Sequence, residues 1–527
     1  VILQTGPYLI DMSVDELADS NYLELPYTNK FYTTLSPATL DFAAHLRQRQ
    51  MPQHGGKFNY LEFGCGNGYN TNLLAACYPS AQFIANDFVP SHIQTARRLA
   101  ERAGLGNVRF LEKSFKDLLG EQLPEFDYIV MHGIYTWVGE ENRQIIRDIV
   151  AKHLKPGGLL YVSYNCLSGN SDLLALRRVL QHAVASHGTE NIEQRIQKAF
   201  ETLSFLDDKQ LPFHAKYPQL LDKLEFLKGE ELEYVAHEML ATSWDLFDVV
   251  DVSDFWSPLG LQYIGHAHLP DNFPHYRMPQ KLVELLDQHQ RSPFAEVLVD
   301  LAMAESFRRD VYQKDSIPLQ GQQHAAQCCA TRFALNFPRA TMSLSLRLPV
   351  GTANLPGNIF NPILDAVSLL RSGNVNQIEK LARERGLPDM VTAVEFMEAL
   401  ESLVAFGFIL PLPLYEDEGA VQSTTRFNNT LLQDGPKGKN KHFASPVLGN
   451  GFEVPTIFES LVSSRVEQEV NYQNMAYDRL AENQIDILDE NGQAYSNGTK
   501  ARRGFDNYAN AFEQYQLEFY RNLGLFT

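Results

Sequence analysis

The stretch YLEFGCGNGYNTNLL, residues 60–74, decides the fold. Tyr60–Phe63 is a short apolar run of strand type. Gly64, Gly66 and Gly68 punctuate the turn that follows, and Asn70 onward carries helical spacing. Backbone so crowded with glycine lets a ligand approach the main chain closely. Working outward, AQFIANDF is a second strand ending at Asp87, and VPSHIQTARRLAERAGLG is a helix with Pro90 near its start and Gly104 at its end. VRFLEK and FDYIVMHG supply two more strands. NRQIIRDIVAKHL is an amphipathic helix stopped by Pro156, Gly157 and Gly158, and LLYVSYN is a fifth strand. Strand and helix alternating this regularly predict a parallel α/β sheet with helices on both faces. In such sheets ligands sit beyond the carboxyl ends of the strands, so the glycine turn and Asp87 are expected at one site.

The turn does not suit a dinucleotide. That fingerprint needs G-x-G-x-x-G, and here the third position after Gly64 and Gly66 is Tyr69. The pattern is E-x-G-x-G-x-G, led by Glu62. With Asp87, the fourth strand and KPGG in this order, the region resembles the class I S-adenosylmethionine (AdoMet)-dependent methyltransferases, whose fold is Rossmann-like. The resemblance implies AdoMet as cofactor. Its amino-acid end would lie against Glu62, Gly64, Cys65, Gly66, Asn67 and Gly68, its ribose hydroxyls would face Asp87, and its adenine would lie near Phe88, Ser114 and Phe115. Ser114 departs from the family, which commonly has an acid there. Asp87 also suits a helix-capping position, and Cys65 reads as a small filler rather than a redox group. His237 and Glu238 lack the second histidine of a zinc helix, so no metal is expected.

The fourth strand ends MHGIYTWV. Amine-directed relatives carry an N-P-P-Y type sequence here, and Tyr135 stands at the matching offset. By that resemblance His132 and Tyr135 are candidate catalytic residues. His132 and Gly133 are expected near the cofactor, and Ile134, Tyr135 and Trp137 on the substrate side. A histidine with an ordinary pKa near 6.5 can take a proton from a nucleophile, but local hydrogen bonding of His132 and core packing of Tyr135 and Trp137 are the competing readings.

Upstream, Tyr22, Glu24, Pro26 and Tyr27 match a Y-x-E-x-P-Y segment. It precedes the glycine turn in bacterial methyltransferases that carry a predicted regulatory domain. EYVAHEMLATSWDLFDVVDVSDFWSPLGLQYIGHAHL and SFRRDVY resemble that domain. The architecture resembles the rickettsial protein lysine methyltransferases, which act on an outer-membrane protein. This implies a protein substrate, with Tyr22 beside it and Tyr27 near the cofactor. Small-molecule methyl transfer and a non-catalytic AdoMet sensor or scaffold remain alternatives.

Leu-rich helical runs fill about 171–254 and interrupt the sheet pattern. They read as a regulatory insert that covers the site, forms a homodimer surface or adds a structural layer. The sheet is expected to be completed over about 255–270, so that a methyltransferase domain occupies 1–315. Residues 316–415 run strand, helix, helix, helix, strand, which resembles a winged-helix unit, and 416–527 read as mainly helical. The third helix of the middle unit presents Glu395, Glu398 and Glu401, so protein recognition or self-association is expected there rather than DNA binding.

Composition sets the outer bounds. A chain of 527 residues exceeds one ordinary core. Its net charge of −19 argues against a nucleic-acid partner, since phosphate contacts need Lys and Arg. The five cysteines lack framework spacing, and no secretory signal is evident, so a reducing, cytoplasmic setting is expected. The apolar run LVAFGFILPLPL, 403–414, is too short for a membrane span.

Overall fold

Seven strands form the central sheet of the computed structural model, which describes residues 30–526 apart from 188–190, 231, 242, 290–291, 438–439, 468–469, 490–491 and 496–497. In chain order the first half of the sheet is β1 (Asn59–Phe63), β2 (Gln82–Asp87), β3 (Val108–Glu112), β4 (Phe126–Met131) and β5 (Leu154–Asn165). All five run parallel, in the spatial order β3-β2-β1-β4-β5. The crossovers are α1 (Tyr69–Cys77), α2 (Pro90–Ala103), α3 (Phe115–Leu119) and α4 (Glu140–His153). Gly104 ends α2 in the left-handed region, the conformation a helix C-terminus asks of glycine. Helix α4 stops at His153, earlier than KPGG suggested. Lys155–Gly158 forms the irregular entry to β5, pinned by Lys155 Nζ 2.9 Å from the Asp127 carboxylate.

The far half of the sheet differs from expectation. LQYIGHAHL does supply a strand, β6 (Leu261–His266), but at the outer edge. Between it and β5 lies β7 (Phe307–Lys314), antiparallel to both. The sheet is therefore completed at Lys314 rather than near residue 270. SFRRDVYQK carries charge where a central strand should be apolar, which hid it. Arg308 is fully buried and satisfied by the carboxylates of Asp310 (Nε 3.0 Å) and Asp300 (Nη1 2.8 Å) and by Tyr263 Oη at 2.7 Å. A buried charge survives when paired and hydrogen-bonded on all sides.

The segment between β5 and β6 is helical, with α5 (Leu173–Ser186), α6 (Ile192–Leu203), α7 (Pro218–Gly229), α8 (Leu232–Leu240) and α9 (Val249–Trp256). The first four build their own apolar core around Leu180, Ile196, Leu224 and Val235. Helix α9 instead packs Val252 and Trp256 beneath the sheet. Farther on, β8 (Arg332–Leu335) joins Gly373–Asn374 and Ile409–Leu412 in a three-stranded antiparallel sheet. It carries α10 (Gly357–Leu370), α11 (Val375–Glu384) and α12 (Ala393–Ala405). TMSLSLRLP contributes only Ser345–Leu348, paired in a hairpin with Gly351–Asn354.

The C-terminal segment braces the glycine-turn region from behind. In its hairpin of Lys441–Ser445 and Asn450–Val454, the His442 carbonyl accepts from Tyr69 Oη at 2.6 Å. Ser36 Oγ donates to the Gly449 carbonyl at 2.9 Å. Among the described residues no helix is long and apolar enough to cross a membrane.

Candidate functional site

The glycine turn opens at the carboxyl end of β1. Gly64 and Gly68 have φ of +62° and +67°, a region that side chains with a Cβ enter at a cost. Space also forbids larger residues. A Cβ on Gly64 would lie 2.2 Å from Ile134 Cδ1, and one on Gly68 2.4 Å from Ala96 Cβ. Ile134 thus lies against the turn, which joins the ends of β1 and β4. Glu62 is buried within β1 and accepts from Thr71 Oγ1 at 2.5 Å and from Asn70 Nδ2 at 3.4 Å. Burial pushes its carboxyl up to about 7. Cys65 Sγ makes only a weak 3.7 Å contact to the Gly66 carbonyl, and the side chain packs with Ala85, Ala96 and Phe110. Burial raises its thiol well above the ordinary range, which fits a filler and not a nucleophile.

Asp87 ends β2 and does two jobs. Oδ2 accepts from the Gly66 amide at 2.9 Å, which braces the turn, and Oδ1 accepts from the Val89 amide at 2.9 Å, which starts α2. Oδ1 also lies 3.4 Å from His92 Nδ1, so the capping reading has a geometric basis, and Oδ2 is the oxygen that keeps a free lone pair. Phe88 follows with 58% exposure, an apolar ring left open beside that carboxylate. Phe115 lies edge-on to Phe63 at 5.8 Å. Ser114 is committed to the chain itself. As N-cap of α3 its Oγ accepts from the Asp117 amide at 3.2 Å and donates to the Asp117 carboxylate at 2.7 Å.

The turn after β4 splits the residues that the sequence grouped. His132 faces the cleft. Its Nδ1 is 2.7 Å from Tyr161 Oη, and its ring lies against Tyr32 with centroids 3.8 Å apart. Burial, then the charges of Arg309 and Lys30, push it down to about 3, so the imidazole is neutral across the physiological range. Gly133, at φ +65°, donates its amide to Ser163 Oγ at 2.9 Å. Tyr135 points the other way. It is 2% exposed, with Phe247, Phe255 and Trp256 around its ring at 4.8, 5.9 and 6.2 Å. The expected catalytic and substrate role of Tyr135 is replaced by core packing, because Phe247 and the following α9, with Phe255 and Trp256, supply an aromatic box that its sequence position did not announce. Trp137 is half-buried, edge-on to Trp244 at 6.5 Å. Tyr22 and Tyr27 lie outside the described residues.

One cleft gathers Glu62, Gly64, Cys65, Gly66, Asn67 and His132 from these expectations. It adds Lys30, Tyr32, Tyr69 and Asn70, which the sequence reading passed over. Tyr32 stands only five residues beyond Tyr27, so extending the quoted Y-x-E-x-P-Y segment would have found it. Arg309 had a signal too, in the paired arginines of SFRRDVY. The residues fit the AdoMet that the resemblance implies. The turn has no side chain where a ligand must approach the main chain, and two carboxylates, Glu62 and Asp87, flank it. An uncharged imidazole beside the cleft adds no repulsion against a sulfonium. Among the described residues no group of three or more His, Cys, Asp or Glu could hold a metal ion.

Comparison with known proteins agrees with this geometry. The methyltransferase domain family matches residues 54–234, and the family described as a predicted methyltransferase regulatory domain matches 231–314. An uncharacterised protein of Synechocystis is 34% identical over 454 residues, which is 85% of this chain and 88% of the relative. One from Rickettsia prowazekii is 27% identical over 294 residues, 55% of this chain and 52% of the relative. The structure of PKMT2 from Rickettsia typhi in complex with AdoHcy shares the fold, with a TM-score of 0.70 at 18% identity over 95% of this chain and 99% of that one.

Proposed function

Because this chain belongs to the class I AdoMet-dependent methyltransferases that carry the regulatory domain, we propose that it methylates lysine side chains of a protein. AdoMet, the cofactor, supplies an electrophilic methyl group on a sulfonium, and the chemistry is an in-line displacement by the acceptor nitrogen. The chain's own residues align the reactants and exclude water. Glu62 and the Gly64–Gly68 turn would hold the amino-acid end, Asp87 the ribose hydroxyls, and Phe88 and Phe115 the base. Asp87 also ties the turn to β2 through the Gly66 amide, so its loss loosens the cradle as well as the contact.

The observation that carries the lysine reading is the field around His132. Burial and the positive charges of Arg309 and Lys30 hold that imidazole neutral. A lysine amine brought beside it meets the same burial and the same charges, which favour the unprotonated form that can attack. His132 is a poor proton acceptor at that pKa. Its role is to position: Nδ1 is tied to Tyr161, and its face is held by Tyr32. The end-to-end fold match to PKMT2, whose solved form holds AdoHcy, supports the reading further, as does the presence of large units beyond the catalytic sheet.

The test uses AdoMet labelled on its methyl group, incubated with separate bacterial protein and small-molecule pools. Label recovered as methyl-lysine in protein is expected from the native chain. Asp87→Ala should lower both transfer and cofactor affinity by about 100-fold, the scale of charge-assisted hydrogen bonds lost from a partly buried site. Label entering only small molecules overturns the protein reading.

A further inference from the structure

Strands β5 and β6 are each antiparallel to β7, so β6 ends at the same edge of the sheet as the glycine turn. Just past that end, a cavity of about 720 Å³ opens between Phe273–Tyr276 and helix α12 of the middle unit. One wall is aromatic, with Phe273 and Tyr276. The other is the face of α12 that presents Glu395, Glu398 and Glu401 at helical spacing. Tyr276 Oη meets Ser402 Oγ at 2.7 Å, which fixes the two walls against each other.

The three carboxylates are not equivalent. Glu395 closes the capping box of α12, accepting from the Thr392 amide at 2.8 Å. Glu398 is exposed, and among the described residues no Lys or Arg lies within ion-pair distance of Glu398 or Glu401. Arg47 borders the cavity, but it is engaged by the Ile264 carbonyl at 3.2 Å and Glu296 at 3.8 Å. Behind Glu401 stands His45, 1% exposed, with neither ring nitrogen hydrogen-bonded and Nε2 directed at the Glu401 carboxylate from 3.9 Å. Burial, then the neighbouring His324, hold His45 down at about 4, so it brings no positive charge. Burial and Glu398 push the Glu401 carboxyl up to about 7, as expected of an acid without a cation. Met390, 85% exposed, gives the cavity an apolar rim.

We propose that this groove docks a lysine-bearing, extended segment of the protein substrate, with Glu398 and Glu401 receiving its cationic side chains. This rests on the protein-methylation reading above. Charge complementarity selects the occupant: a lysine has an apolar stem for Phe273, Tyr276 and Met390 and a cationic head for the two carboxylates. An acidic peptide or a nucleic acid would meet like charge. The groove would hold residues flanking the methylated one and so act on recognition of the partner, not on the transfer step.

Fluorescence anisotropy with a labelled peptide of alternating lysine and alanine tests it, alongside methyl transfer to protein. Glu398→Lys, at an exposed position, should weaken peptide binding about ten-fold and raise KM for the protein acceptor similarly, with AdoMet affinity intact. Glu401→Gln should act in the same direction. If neither variant changes peptide binding, the groove assignment fails, whether or not the native chain methylates protein. If spermidine displaces the peptide as well as excess unlabelled peptide does, the groove is a polyamine site and the assignment also fails. If the native chain labels no protein, yet both variants lose peptide, the docking site stands and the methylation reading falls.

Discussion

The turns after β1 and β4 lie on neighbouring strands at one edge of one sheet, yet they are built on opposite logic. After β1 the main chain sets the shape of the turn. Gly64, Gly66 and Gly68 all have positive φ, and space for a Cβ is missing at Gly64 and Gly68. After β4 the side chains decide, and they divide. His132 turns to the cleft, while Tyr135, three residues on, turns into an aromatic box made by residues more than a hundred positions later. A backbone constraint is local and can be read in place. The direction of a side chain depends on which distant element arrives to pack against it.

The largest test of that contrast is Tyr135. If it is core, Tyr135→Ala costs about 3–5 kcal/mol of stability, seen as a lower denaturation midpoint. Tyr135→Phe should keep both stability and methyl transfer close to native. A Phe variant that folds and binds AdoMet but no longer transfers methyl would make the two turns alike and return Tyr135 to the site.

Gly64 comes next. Gly64→Ala places a non-glycine residue at φ +62° and drives its Cβ into Ile134. The strain is about 2 kcal/mol, so AdoMet affinity by calorimetry should fall about 30-fold. Adding Ile134→Ala removes the collision and not the backbone strain, so it should recover part of the loss. Complete recovery would mean that packing alone shapes this turn, as it does the other.

The mildest test lies at the other end of β4, where Tyr128 Oη donates to Asp41 Oδ1 at 2.8 Å. Burial pushes the Asp41 carboxyl from 3.8 up to about 8, against the lowering effect of that hydrogen bond. Between those values the folded chain keeps a proton that the unfolded chain releases. Stability from this group is therefore complete below about pH 4 and declines as pH rises toward 8. Asp41→Asn keeps an acceptor for Tyr128 and has no proton to lose. Its melting temperature should exceed the native one by a few degrees near pH 8, with the gap narrowing as pH falls. An equal gap at all pH values would show packing, not ionisation, at work.

Much of the glycine-turn cleft was legible, and the reasons are particular. Glu62, the glycines and Asp87 are adjacent in sequence to the strand ends that position them. Ser114 has a second task that its place before a short helix allowed, since its hydroxyl caps the helix through the Asp117 amide. Strand β7 was missed because Arg308 and Asp310 look exposed until Asp300, Tyr263 and Tyr164 are brought around them. Tyr32 and Lys30 belong to the cleft only because the chain before the first sheet strand folds back over it.

The alternation of strands and helices from residue 60 to 165 determined the parallel half of the sheet and the glycine turn at its ligand-binding edge, and the resemblance carried by that turn, Asp87 and KPGG added the methyl-donor cofactor. They could do so because positive φ, strand alternation and helix punctuation are properties of neighbouring residues. Which aromatic ring faces the cleft, how a charged strand enters the sheet between β5 and β6 and where an acidic helix meets an aromatic wall were decided by the tertiary structure. Those outcomes depend on burial, and burial is set by partners that the chain brings together from far apart.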